Sequence, residues 1–423
     1  MALAKRTTDP ALAALELPQG GAWASEARQA ARARLAEMGL PGRRDEYWRY
    51  TDPTTLISTD PTPAKVGEAD DIFAGTNALR LVFVDGVFDA DASDGLDESG
   101  VEILQLADVT AKDIHWVKEF YGVLEAAGQV PVARPLAALN TATATQGAVI
   151  RATGKVSRPV HLIYLRRDET AEAVMHHVVR IEPGADLTLL ESGAGAARLS
   201  TVMEVDVAEG AAFHHVRLQG RDHERRAATH CFARVAADAR FKSFTLTLNG
   251  AMTRNETVLT LKGDGGVAHV AGAVVGDGDD FHQDDTVFVT HDAVGCESRQ
   301  VFKKVLRNGA TGVFQGKILV KPGAQKTDGY QISQSLLLDD DSRFLAKPEL
   351  EIYADDVACS HGSTSGAIDD TALFYLRSRG VPERTATMLL TLAFLAESLA
   401  EIDDPALAEE LRDRLEGWLA RHH

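Results

Sequence analysis

Between residues 148 and 357 one turn phrase keeps returning between short β-type runs. It reads EPGAD from Glu182, AEGAA from Ala208, AADAR from Ala236 and KGDGG from Lys262, at a spacing of roughly 26 residues. Later turn signals, near Asn308, Pro322, Asp340 and Asp355, come closer, roughly every 14–17 residues. Strand–turn units repeated without intervening helices stack as a solenoid or fold back as a sandwich. A single sandwich rarely runs to some 200 residues, so the repeat favours a β-solenoid. Each coil of such a stack buries its apolar face only on its neighbours. The two terminal coils are therefore edges that must be capped or paired with another chain.

The flanks have a different texture. Ser25 is a good N-cap for a helix over 26–38, stopped by Gly39 and Pro41. The aromatic, charged segment RRDEYWRYTDPTTL follows at 43–56 and reads as a packed connector. ALRLVFVDGVF at 78–88 predicts a strand pair turned at Asp85-Gly86 and packed on the N-terminal helices, and 114–126 has helical spacing. After His361 the pattern is helical again. Asp369 or Asp370 can cap a helix through Arg379, and Pro382 opens a second. In that second helix Met388, Leu392, Leu395, Leu399 and Ile402 recur at heptad-like spacing, and a third helix carries Leu407, Leu411, Leu415 and Trp418. A helix apolar on more than one side needs a neighbour or a partner protein. The division expected is a mainly helical domain over 1–140, a β-helix core over 141–361 and a helical domain over 362–423.

A formal charge of −18 argues against a general nucleic-acid binder and against docking on an anionic membrane; its bland reading is solubility. MALAKRTTDP lacks the apolar core of a signal peptide, and the longest apolar run is too short to span a bilayer. Three widely spaced cysteines, Cys231, Cys296 and Cys359, make neither a disulfide framework nor a four-thiolate cluster site, and fit a reducing cytosol.

Phosphate loops fail. GVFQGKI at Gly312 is a residue short of a P-loop, and GAGAAR at Gly193 ends in Arg198 where a dinucleotide fingerprint wants glycine or alanine. The pairs His176-His177 and His214-His215, and the group His282, Asp284 and Asp285, read as polar strand positions, since adjacent strand residues face opposite sides. Cys359 and His361 are the better ligand candidates. Two residues apart in a strand, they share a face, and thiolate plus imidazole suits zinc or iron–sulfur chemistry. Two ligands are half a site, and spacing alone favours a buried cysteine beside a hydrogen-bonded histidine unless a partner edge supplies further ligands.

LEIYADDVACSHGSTSG, running on into ALFYLRSRGVP, resembles the C-terminal signature of the SufB/SufD family of iron–sulfur cluster assembly proteins. RRDEYWRYTDPTTL resembles the family's N-terminal segment, and GVFQGKILVKPGAQKTDGYQISQSLLL its core. Within the family the chain looks SufD-like: it carries CSHG, with Gly362 where SufB-type chains place a glutamate, although KPGAQKTDGYQ has a SufB-like ring. The resemblance implies a right-handed parallel β-helix between helical domains, acting as a non-catalytic scaffold. It implies two partners: SufB, paired through the β-helix ends, and the ABC-type ATPase SufC, docked on the C-terminal helices. Docking candidates there are Leu373, Tyr375, Arg377, Met388, Leu392, Leu395 and Leu399. His361 would lie at the SufB interface near nascent cluster chemistry, with Cys359 in a less defined role. An iron–sulfur cluster or iron would be held transiently and shared with SufB, none tightly by this chain alone. A flavin is associated with the family's whole complex, but no flavin motif is present. The competing readings are a homodimer acting without SufB, and a β-helix enzyme on polysaccharides, which would need a calcium-binding carboxylate cluster.

Overall fold

The computed structural model describes residues 10–67, 72–220 and 223–422. It is mainly β, a parallel solenoid of about seven turns flanked by N- and C-terminal helices. Each coil gives one strand to a ten-stranded sheet and one to a nine-stranded sheet, so successive strands of the solenoid alternate between opposite faces. Registers fix the coil length: Arg198 pairs with Arg226, Arg226 with Met252, Met252 with His282, His282 with Thr311 and Thr311 with Arg343. The two spacings seen in the sequence are thus one period, since every coil has two turns and the later repeats show both.

The turn phrase has a backbone cause. Gly184, Gly210, Asp238, Gly265, Gly295 and Lys326 take positive φ of 53–69° at equivalent points of successive coils. The N–H of each donates to a carbonyl of the next turn, as from Gly184 to Glu209, Gly210 to Ala237 and Asp238 to Asp264. Glycine reaches this left-handed region without a Cβ penalty, which is why it dominates the phrase.

Inside, in-register stacks do the packing. Ile150, Val179, Val205, Ala233, Leu259, Val289 and Ile318 are consecutive rungs of one buried column. The strands are covered on their outer faces too, which explains near-continuous apolar runs such as VAHVAGAVV in Val267–Asp277.

The N-terminal region departs from a helical domain. Leu79–Val84 pairs in parallel with Val160–Leu165, and Val101–Gln105 pairs antiparallel with Ala148–Ala152. The strand pair expected to pack on the helices therefore extends the ten-stranded sheet, where Val87–Asp89 closes it antiparallel, while Val101–Gln105 closes the nine-stranded sheet. The first long helix runs Ala22–Met38, starting earlier than Ser25 would set it, and ends at Gly39 as expected. Only a 3₁₀ turn, Trp116–Glu119, and a short helix, Val123–Ala127, form within 114–126.

The connector at 46–51 is a clamp on the outer face of the nine-stranded sheet. Arg254 stacks over Trp48 at 4.1 Å and Lys347 over Tyr47 at 3.8 Å. Thr51 donates to Asp284 at 2.6 Å, Gln315 donates to the Tyr47 carbonyl at 3.1 Å, and the Tyr47 hydroxyl donates to Glu349.

On the other sheet the C-terminal helices Glu383–Leu399 and Pro405–His422 cover the outer face. Leu395, Leu399, Ile402, Leu407, Leu411, Leu415 and Trp418 cluster with Leu218, Phe244, Leu246, Leu248, Val275 and Val301. Lys242–Asp403, His269–Glu401 and Lys303–Glu397 ion pairs flank this seam.

Candidate functional site

The last strand, Val357–Gly366, pairs with Thr327–Leu337 on one side, and among the described residues no strand pairs with its other side. Cys359 sits opposite Gly329, His361 opposite Gln331, Ser363 opposite Ser333 and Ser365 opposite Ser335. Cys359 packs with Ile318, Leu350 and Val357, which places its side chain on the inward face. His361, two residues on, shares that face. The strand is unbroken, so alternation puts the two residues on one face, at the last coil, the mouth of the solenoid.

Gly329 makes room for the sulfur. A Cβ there would meet Cys359 Sγ at 3.2 Å and an Ile318 methyl at 3.4 Å. Burial pushes the Cys359 thiol up; the hydrogen bond with the Gly329 backbone opposes this, and Asp328 adds a lesser upward push. The group is thus a thiol at neutral pH until a metal or cation beside it favours the thiolate. His361 is exposed, so its ring is free to meet a partner.

One inward column, read across the rungs, shows how this mouth differs from the interior. It runs Leu79, Val160, Leu189, His215, Ser243, Val270, Gln300, Gln331 and His361. Its first three rungs are hydrocarbon, its middle mixes imidazole, hydroxyl and hydrocarbon, and its last three are amide, amide and imidazole. Beside it the Ser333–Ser363 and Ser335–Ser365 hydroxyls bond across the last rung at 3.1 and 2.8 Å.

Most of the other histidines singled out in the sequence are partnered in the fold, His282 by the Thr51 hydroxyl at 3.0 Å, whereas His214 Nε2 is buried without a hydrogen-bond partner. His176 faces the N-terminal helices, 2.8 Å from Glu204, while His177 faces inward and bonds the Tyr164 hydroxyl at 3.1 Å. Burial holds His177 down at about 4. His215 bonds Glu191 at 2.8 Å and Ser243 at 2.9 Å. Asp284 faces Arg254 on the outside and Asp285 meets Lys304 inside at 2.7 Å. Among the described residues no group of three or more His, Cys, Asp or Glu side chains is arranged to hold a metal ion. Cys231 lies inside the solenoid, where burial drives its thiol up to about 12.

The docking candidates divide. Leu395 and Leu399 are 0 and 5% exposed against the solenoid, and Met388 and Leu392 pack partly on the same cluster. This corrects their expected place on a docking surface: the apolar outer face of the sheet takes the stripe for itself. The helix Asp370–Ser378, capped by Asp369 through Thr371 and Ala372 N–H groups, has no buried residue. It presents Tyr375 and Arg377 with Leu373 half-buried, and Phe374, which the sequence reading passed over, is 73% exposed. Ile352, Tyr353 and Leu389 are also exposed near this end of the molecule.

The described residues form a parallel solenoid that is capped at its first coil and ends in an unpaired strand carrying Cys359 and His361. The family profile described as SUF system FeS cluster assembly, SufBD core domain, matches residues 164–394. Escherichia coli iron–sulfur cluster assembly protein SufD is 29% identical over 393 residues, 90% of each chain. An iron–sulfur cluster assembly SufBD family protein of Synechocystis is 28% identical over 409 residues, 91% of this chain and 89% of its own. One from Mycobacterium tuberculosis is 29% identical over 389 residues, 89% of each. The chain belongs to the SufBD family of iron–sulfur cluster assembly proteins. No helix among the described residues is long and apolar enough to cross a membrane.

Proposed function

We propose that this chain is a SufD-type scaffold subunit whose last coil pairs with the β-helix end of a SufB-type partner and completes a transient iron or cluster site. The observation that carries the reading is the unpaired strand Val357–Gly366 with Cys359 and His361 on its inward face. Unpaired strand edges are templates for pairing with another chain. The chain supplies two ligand atoms of different softness, and the partner supplies the remainder. Its own contribution is binding and orientation, with no catalytic set.

The Asp370–Ser378 helix follows the ligand strand with only 367–369 between them. Its exposed Phe374, Tyr375 and Arg377 fit an ATPase of the SufC type docking there. Pairing of two such ATPases on ATP would pull on this helix and shift the adjoining edge, exposing the ligands.

The test is His361→Ala in the chain co-expressed with its SufB and SufC counterparts. The complex assembles and cluster yield falls strongly; normal yield from an assembled mutant complex would sink the assignment. Recovery of the wild-type chain only as a dimer of itself would replace the SufB pairing by edge-to-edge self-association.

A further inference from the structure

The rung beneath His361 is Gln331, fully buried, and beneath that lies Gln300, also fully buried. Gln331 Nε2 donates to Gln300 Oε1 at 2.8 Å. Gln331 Oε1 has no hydrogen-bond partner although it is sealed from solvent. A buried acceptor left without a donor costs about 1–3 kcal/mol, so its presence calls for an explanation. The fold also makes special room for this amide. Across the interior, a Cβ on Gly316 would lie 2.3 Å from Gln331 Nε2 and 2.6 Å from the Phe314 ring, so glycine there leaves both in place.

Direction follows from amide geometry. In a parallel in-register ladder, an amide whose N–H reaches back to the rung below turns its carbonyl forward to the rung above. The rung above Gln331 is His361, one strand spacing away, about 4.8 Å. An imidazole that ligates a metal through one nitrogen carries its proton on the other, and a fixed acceptor for that N–H sets both tautomer and ring orientation.

We propose that Gln331 is the positioning residue for His361: its orphaned carbonyl oxygen accepts the imidazole N–H and leaves the other ring nitrogen as a lone pair aimed out of the solenoid mouth. This rests on the reading of His361 as a ligand and adds what holds it. Gln300 anchors Gln331, so the Gln300–Gln331–His361 column acts as a unit.

The experiment uses the full-length chain with ¹⁵N-labelled histidine, His361 being assigned by the signals lost in His361→Ala. The neutral His361 ring is held in one tautomer. Gln331→Met, which keeps the length and removes the acceptor, releases it to a mixture, and Gln331→Glu, which keeps an acceptor oxygen, restores a single form. Should Gln331→Met not fold, Gln300→Met unhooks the same amide from below and gives the same release. Ring nitrogen shifts unchanged in these variants, or already mixed in the wild type, overturn the proposal. In the assembled complex at limiting iron, Gln331→Met lowers cluster yield about 10–100-fold, with recovery in Gln331→Glu. Loss in His361→Ala with normal yield in Gln331→Met sinks the role of Gln331 alone. Normal yield in both sinks the ligand reading with it.

Discussion

The two ends of the solenoid face the same physical problem and answer it differently. At the first coils the sheets are closed by antiparallel strands, Val87–Asp89 and Val101–Gln105, and Phe83 is 1% exposed among the Phe88, Tyr164 and His177 rings. Among the described residues no strand is laid across the last coil, and Arg343–Ile352 and Val357–Gly366 contain no fully buried residue. An antiparallel cap satisfies backbone groups within the chain, whereas a bare parallel edge leaves them for a partner. The first end is closed by the chain itself; the second is a bare edge among the described residues.

The largest expected contrast is in hydrogen exchange. Amides of Leu79–Val84 exchange only through global unfolding, typically about 5–15 kcal/mol, while those of Val357–Gly366 exchange through local opening and slow when the SufB-type partner is added. Equal protection at both ends would break the comparison. Core truncation sharpens it. Phe83→Ala destabilises by about 3–5 kcal/mol in urea denaturation, whereas Ile352→Ala, at a 39% exposed site of the open coil, stays within about 1 kcal/mol.

The smallest effect concerns protons. His291 sits in an inward column between Leu261 and Val320, bonded to Ser298 at 2.8 Å, and burial holds it down at about 4. Its folded value lies below the unfolded 6.5, so the unfolded chain takes the proton first. Stability is intact above pH 6.5 and falls as pH drops from 6.5 towards 4. At pH 5 the cost is about 2 kcal/mol, and His291→Leu should relieve it, seen as a flatter pH dependence of the denaturation midpoint. An unchanged profile would show that the interior near the open end is wet enough to charge this ring.

Much of this was legible in the sequence because its cause is local. The turn phrase marks one left-handed residue per coil, and the alternation rule alone put Cys359 and His361 on one face. Other features depend on partners far along the chain. Nothing within ALRLVFVDGVF says that its strand pairs with Val160–Leu165. The heptad stripe of Glu383–Leu399 shows an apolar face but not what lies against it, so Leu395 and Leu399 were assigned to a partner although the solenoid takes them. Gln331 looks like any polar strand residue until the register sets it between Gln300 and His361.

The clamp at residues 46–51 has a consequence for the order in which the molecule is made. Tyr47 meets Glu349 across 302 residues of sequence, and Glu46 meets Lys347 across 301. On a ribosome adding about 5–20 residues per second, the amino-terminal half of this contact waits on the order of 15–60 s for its counterpart. Coils can stack one by one during that interval, since each needs only its predecessor. Closure of Tyr47 and Lys347 then comes after the strand Arg343–Ile352 is in register, so the clamp registers completion: a chain with a slipped or missing coil would offer it Glu349 at the wrong height.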